Sequence, residues 1–573
     1  MNKDKGFTLI ELLGVIILLG IIGVIAVPSI TNLIKDSIEK AYQEQVNMIK
    51  ESAKKWAVEN IEQISEEHKT YLTVDMLTKN GYINKNEVAD PRDSSKNLNG
   101  CVIIEYNPSY SKYEYNYHEK SCDEFTYRDS ILNGADPKLS EGMIPVVWDG
   151  TNLVKAGLYD EWYDYSNLKW ANVVMVTSDS RDVYNEAPVG TRIKEHHILT
   201  YFVWIPRYKY KLWNTNDNII TTGVNSSVVK TIDIVFEGSN VTKSNGTING
   251  EYLTHPAFTF GGTELNGFWM AKYETSSDES SACYMTSLAD DCNNDSITPR
   301  IKPNKTAWRS IQIANAFQVA RKMETNDNIY GLNSALVDTH LIKNMEWGAV
   351  AYLSYSNYGI NSEVRINNSK TSTTGCAATN PPVDTFTNYK DYFEGCQNTY
   401  NTPIGNLAST TGNITGVYDM SGSAVEFVMG IMESSLNSGV PMVGVDLTTN
   451  SGFNGRLSSG ETYTTGIDLP ENKYYDLYSY GTTSGDQAAY VRGKLGDATR
   501  EMGPFGVHPD FVTPALNISS WHGDLANFMT NQRPWIIRGS SWADGTLDGA
   551  FAFSNFMGIA DARRGFRIVI TNE

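Results

Sequence analysis

Cysteine is scarce in this chain. Six occur in 573 residues, and none lies beyond Cys396. No two form a CxxC pair and no histidines follow at ligand spacing, which excludes a zinc knuckle. Histidine is scarce as well. Of the eight, His196 and His197 adjoin rather than stand four apart, so they make no helical zinc pair. The GxSxG, P-loop and EF-hand patterns are all missing, which removes the common signatures of hydrolases, nucleotide enzymes and calcium switches. Basic charge is in deficit: 47 Lys and Arg face 66 Asp and Glu, for a net charge of -19. A nucleic-acid partner would need a basic face, so none is expected for the head.

Apolar residues are plentiful. They make up 41% of the chain, enough to bury real cores, and the length suits two or three domains. The cysteines fall into local pairs: Cys101 with Cys122, Cys283 with Cys292, and Cys376 with Cys396. An even number outside the cytosol suits disulfides that staple loops; reduced, buried thiols are the other reading, and spacing alone does not fix connectivity.

The first six residues are polar, with Lys3 and Lys5, and an apolar run follows from Phe7 to Val27, just before Pro28. That run has the length a helix needs to cross a bilayer core. The lysines before it favour the cytoplasm, which sends the rest of the chain outward. An ordinary signal peptide has a shorter apolar core that ends in small residues. Here the run starts directly after Gly6 and carries one acid, Glu11. A carboxylate in hydrocarbon is costly unless paired, so Glu11 is a functional candidate. The stretch MNKDKGFTLIELLGVIILLGIIGVIAVP resembles the class III leader and helix of type IV pilins and pseudopilins. The resemblance implies cleavage after Gly6 by a prepilin peptidase and N-methylation of Phe7. It also implies that Glu11 pairs with the terminal amine of a neighbouring pilin subunit during assembly.

Beyond Pro28, Ile30, Leu33, Ile34, Ile38, Ala41, Tyr42, Val46, Ile49, Ala53 and Trp56 recur at spacings of mostly three and four among polar residues. This is an amphipathic helix with one stripe to bury. Residues 100–106 and 113–117 read as paired strands around a turn, bracketed by Cys101 and Cys122. Together they predict a pilin-type small head over 29–125. Residues 126–142 read as a linker, and 143–172 as an aromatic-rich stretch with an Asp149-Gly150 hairpin turn. Its Trp and Tyr residues fit either sugar-stacking surfaces or a small core of their own.

From about residue 200 a series of pieces follows in order. It comprises the strand Tyr201–Pro206, the strand 267–275 (GFWMAKYET), a helix over 314–323 and a second helix over 341–352. Then come 415–427 (TGVYDMSGSAVEF), 536–542 (IIRGSSW) and 564–570 (RGFRIVI). The series resembles the formylglycine-generating-enzyme-like branch of the C-type lectin fold, across 200–573 with large insertions. Ser423 stands where that family usually has Asn, and Phe427 where it usually has Trp. The enzymes of the family bind copper through cysteines near the C-terminus, and none follows Cys396 here, so catalysis is not expected. No cofactor is expected; calcium, which related lectin folds use, stays open, as does any metal site.

Residues 538–567 read RGSSWADGTLDGAFAFSNFMGIADARRGFR. Arg538, Gly539, Trp542, Gly565, Phe566 and Arg567 have the character of a scaffold. Between them stand residues with no common chemistry: Ser541, Ala543, Asp544, Thr546, Leu547, Asp548, Ser554, Phe556, Ile559, Asp561, Ala562 and Arg563. The layout is similar to the variable region of proteins diversified by retroelements. That resemblance implies that the second set contacts ligand, with exposed Leu547, Phe556 and Ile559 forming an apolar patch. Two insertions, the Asn- and Thr-rich 361–400 and the Gly-, Ser- and Tyr-rich 436–500, either frame this face or decorate the surface.

The sequence therefore predicts an α+β protein in five parts. These are a leader (1–6), a transmembrane and assembly helix (7–28), a small pilin head (29–125), a linker with an aromatic module (126–199) and a C-type lectin-like domain (200–573). The expected function is that of a minor pilin or pilus-tip adhesin, single-pass in the cytoplasmic membrane and then at the cell surface. Its expected extracellular ligand is a cell surface, glycan, protein or phage. The alternative is a pseudopilin of a secretion or DNA-uptake apparatus with a fixed structural head.

Overall fold

The computed structural model describes residues 9–64, 69–93, 95–107, 112–122, 131–157, 162–215, 231–277, 292–325, 329–380, 392–435, 439, 441, 451–453, 469–482, 489, 491–503, 505, 518, 519 and 521–572. The side chains of Glu11, 18–32, Glu62 and Thr546 lie outside this set. The chain divides into two compact units, Met1–Tyr127 and Arg128–Glu573, and its architecture is mixed α+β.

The smaller unit is built on one helix, α1 (Leu9–Glu59), which runs on through Pro28. The strands β1 (Thr70–Thr73), β2 (Cys101–Asn107) and β3 (Lys112–His118) form a sheet in that order, with the short helix α2 (Val74–Lys79) between the first two. Both strand pairings are antiparallel, and Cys101 opposes His118. The Thr73 hydroxyl caps α2 by accepting from the Met76 N–H at 3.0 Å. Val46, Ile49, Ala53, Trp56 and Ala57 of α1 pack against Leu72, Leu77, Val102 and Ile104. The predicted stripe is thus buried only over its later part. Leu33 and Ile34 remain 65% and 53% exposed, and Ile38 is exposed as well. The reason is length: seven-residue strands span about 23 Å, less than half of a 51-residue helix at 1.5 Å per residue. A disulfide joins Cys101 to Cys122.

The larger unit is centred on a seven-stranded antiparallel sheet. Its first strands are β4 (Ile144–Trp148), β5 (Leu153–Lys155), β6 (Asn172–Val176) and β7 (Ile198–Pro206), with helix α3 (Ser178–Glu186) between β6 and β7. The expected hairpin turn at Asp149-Gly150 joins β4 to β5, and Gly150 there has φ +100°. A three-stranded sheet follows, made by β8 (Tyr208–Lys211), β9 (Ile234–Phe236) and β10 (Tyr252–Thr254), with β8 central. Strand β11 (Gly267–Ala271) returns to the large sheet. Helix α4 (Ile313–Arg321) packs on β12 (Val337–Leu341), and α5 (Asn344–Ser354) follows directly. Leu341 thus belongs to the strand, and the predicted second helix begins three residues later. Every residue of α5 is buried, as its apolar circumference requires.

A second sheet is made by β13 (Val425–Met432), β14 (Asp476–Tyr478), β15 (Trp535–Arg538), β16 (Phe553–Phe556) and β17 (Arg564–Phe566). Its path is β14-β13-β15-β16, and β17 joins β13 in parallel. The last strand, β18 (Ile568–Asn572), crosses back into the large sheet, whose order is β12-β18-β11-β7-β6-β4-β5. Strands β7 and β13 are buried along their whole length, which explains their mostly apolar sequences; Thr200 and Glu426 are the polar exceptions.

Residues 131–199 do not stand apart as a linker and module. Strands β4 to β6 extend the sheet that β7 and β11 continue, and Trp162 and Trp170 are buried in the single core of the larger unit. Part of the second insertion is also structural: residues 476–478 form β14, and the Arg492 guanidinium donates to the Met529 carbonyl at 2.8 Å. A disulfide joins Cys376 to Cys396. Cys292 is buried, and Cys283 lies outside the described residues.

Candidate assembly helix and candidate binding face

Gly6 and Phe7 lie outside the described residues, and Glu11 is described only as backbone within the first turn of α1. Around it, Leu9, Ile10, Leu12, Leu13 and Val15–Ile17 are all exposed within their own unit. Among the described residues no helix is long and apolar enough to cross a membrane; the side chains of 18–32, which supply half of the apolar run, lie outside that set.

The far end of the chain is held by two buried arginines. Arg567 donates to both Glu426 carboxylate oxygens, at 2.5 to 3.2 Å, and to the Ala271 carbonyl at 3.0 Å. Neither partner of this ion pair is exposed, so β11, β13 and the link from β17 to β18 are fastened at one point. Arg538 donates from Nε to the Asn344 side chain at 2.7 Å, and to the carbonyls of Asp497, Ala498 (3.1 Å) and Phe551 (3.4 Å). Burial without a full carboxylate partner lowers its pKa to about 10.

Between the arginines the backbone makes tight turns. Gly539 and Ser540 have φ of +81° and +56°, and the Trp542 N–H donates to the Ser423 carbonyl at 3.0 Å. Ser423 itself has φ +65°, a conformation that Asn tolerates well among non-glycine residues. Serine is retained here with its hydroxyl donating to Glu274 at 2.8 Å, while the Ala424 N–H donates to the other Glu274 oxygen at 3.0 Å. Phe427 is fully buried.

The twelve candidate contact residues fall into two groups. Six precede β16. Ser541 is buried, and both its N–H and its hydroxyl donate to Asp544. Ala543 and Leu547 are half-buried, Asp544 is exposed, and the Thr546 side chain lies outside the described set. Asp548 is completely buried, and neither carboxylate oxygen meets a hydrogen-bond partner among the described residues. Burial, with Asp544 and Asp524 close by, pushes its pKa well above the carboxylate range. The other six run from β16 to β17. Ser554 is half-buried opposite Ile537, and Phe556 is buried beneath the Arg564 guanidinium, 3.6 Å from its ring centre. Ile559 packs on the core, Asp561 pairs with Arg564, Ala562 is half-buried and Arg563 is exposed.

The expected apolar patch of Leu547, Phe556 and Ile559 is therefore not exposed as a unit. In β16 the burial does not alternate at its end: Asn555 turns inward to donate to the Phe528 carbonyl at 2.7 Å, and Phe556 is covered by Arg564. Ala543, Asp544, Leu547, Ser554, Ile559, Asp561, Ala562 and Arg563 keep access to solvent. The sequence reading missed Asp524, whose carboxylate accepts from the Phe551 N–H at 3.2 Å and occupies the place a side chain on Gly549 would take. Gly549 was its only trace in the sequence. Among the described residues there is no group of three or more His, Cys, Asp or Glu placed to hold a metal ion.

The prokaryotic N-terminal methylation motif matches residues 1–27. This match supports a type IV pilin-like leader, and with it a surface pilin-like or pseudopilin-like protein that is processed by a prepilin peptidase and assembles with other pilin subunits. No curated protein matches the chain.

Proposed function

We propose that the protein is a minor pilin or pilus-tip adhesin, not an enzyme, whose larger unit is a lectin-like head that binds an extracellular ligand through the loops between 538 and 567. The observation that carries this reading is the union in one chain of the methylation-motif helix with a separate unit of over 400 residues. A head of that size suits a rare or terminal place in a fibre better than the repeating position. Support for the binding face comes from residues 538–567: buried arginines hold both ends, and eight side chains between them keep access to solvent, of which Ala543, Ala562 and Arg563 carry no side-chain hydrogen bond or ion pair among the described residues.

Retroelement diversification of this segment is part of the proposal. Sequencing the 538–567 codons across many cells of one strain tests it. Changes are expected at the eight accessible positions, while Ser541, Asp548, Phe556 and the two arginines stay constant. Uniform identity, with no near-copy template beside the gene, would remove diversification. Adhesion is tested by exposing the full-length protein in detergent to arrays of glycans and whole cells. A folded protein that captures nothing, while D544K/D561K behaves identically, would turn the reading toward a pseudopilin with a structural head.

A further inference from the structure

A cavity of about 170 Å³ opens beside the β4–β5 hairpin, and none of its lining residues belongs to 538–567. Its volume slightly exceeds that of an engineered protein cavity that holds benzene, so it has room for one six-membered ring. The rings of Trp148, Trp170, Tyr201, Tyr273 and Tyr400 line it. The indole N–H of Trp170 is already used, donating to the Tyr358 carbonyl at 2.7 Å, so Trp170 offers the cavity apolar surface.

Lys272 also lines the cavity. Its side chain is buried, and its ammonium donates to two neutral oxygens, Asn172 Oδ1 and the Ile414 carbonyl, each at 2.5 Å. Among the described residues no carboxylate pairs with it. Burial alone, without a counter-charge, lowers its pKa to about 7. Among the described residues the one acid in the lining, Glu195, is already engaged: it accepts from the Tyr201 hydroxyl at 2.5 Å and pairs with Lys302 at 3.1 Å. Arg192, exposed at the same rim, adds a second positive charge. A buried cation with only neutral partners is costly, and an anion entering the cavity would relieve that cost.

We propose that this cavity binds one small carboxylated ring, with the carboxylate against Lys272 and the ring against the aromatic walls. Thr151 and Asn152 in the lining favour a hydroxylated ring, so a uronic acid is the expected form and an aromatic acid the alternative source of the same chemistry. The site is distinct from the 538–567 face, so it stands or falls independently of the adhesin reading.

Calorimetric titration of the full-length chain, in a detergent free of sugar and carboxylate, tests this with glucuronate, benzoate and glucose as probes. Glucuronate is expected to bind about ten-fold or more tighter than glucose, the worth of one charge-assisted hydrogen bond. K272M is expected to lose that preference. T151W, at the exposed rim, leaves Lys272 in place and is expected to abolish binding by blocking entry. Benzoate binding in place of glucuronate would keep the site and assign it to aromatic acids. The proposal is overturned if neither carboxylate binds, if glucose binds as tightly, or if both variants bind glucuronate like the parent.

Discussion

Single residues carry unusual weight where charge is buried. The Arg567–Glu426 pair has no solvent to fall back on, so removing either partner leaves an unpaired charge in the core. R567M and E426Q are each expected to cost about 3–5 kcal/mol in chemical denaturation, with the double variant losing less than the sum. Glu501 gives a pH signature. It accepts from the hydroxyls of Tyr352 at 2.5 Å and Tyr210 at 3.0 Å and from the Gly496 N–H at 2.8 Å, yet burial outweighs these bonds and raises its pKa from 4.5 to about 7. Between those values the folded chain holds a proton that the unfolded chain releases, so stability falls as pH rises, by about 3 kcal/mol at full ionisation. E501Q is expected to flatten this fall between pH 5 and 8 in thermal melts; an unchanged slope would refute the assignment. His340 contributes in the same direction. Burial lowers its pKa, but Glu346 and Asp338 outweigh that and raise it, so its share of stability, full at low pH, is lost as pH rises through the raised value. These partners were half legible. Glu426 inside SAVEFV is a lone charge in an apolar run, which marks burial, but the sequence does not say what faces it across 141 residues.

At the scale of elements, periodicity was a good guide wherever one face is buried. The stripe of α1, the strands β2, β3, β7 and β11 and the helix α4 all lie where their patterns place them, within a few residues. It failed where neighbours decide. Residues 143–172 read as a separate module because aromatic density has the same look in a small core as at the edge of a large sheet; only pairing with β7 distinguishes them. The expected apolar patch of Leu547, Phe556 and Ile559 failed for a similar reason, since Arg564 covers Phe556 through a contact no local pattern encodes. The disulfide Cys101–Cys122 closes a loop of 21 residues around the β2–β3 hairpin. C101S/C122S is expected to destabilise the smaller unit by about 3 kcal/mol, read as an earlier melting transition.

At the scale of the molecule, each unit has its own hydrophobic core, one on α1 and one spanning the seven-, three- and five-stranded sheets of the larger unit. Calorimetry is therefore expected to show two transitions, with I49A moving only the smaller and I570A only the larger. A single transition that both variants shift together would contradict this. The anchoring end was the most legible part of the chain because its signal is local, whereas the head's architecture is written in pairings hundreds of residues apart. Strand β18 is the extreme case. It follows the 538–567 segment in sequence yet lies inside the large sheet, one strand from its edge, between β11 and β12. Any insertion or deletion in that segment that shifts the reading frame garbles β18 and removes the pairing partner of both β11 and β12. A frame error anywhere in 538–567 is thus paid for in a different sheet from the one those loops connect, because β18 is read last and pairs on both sides.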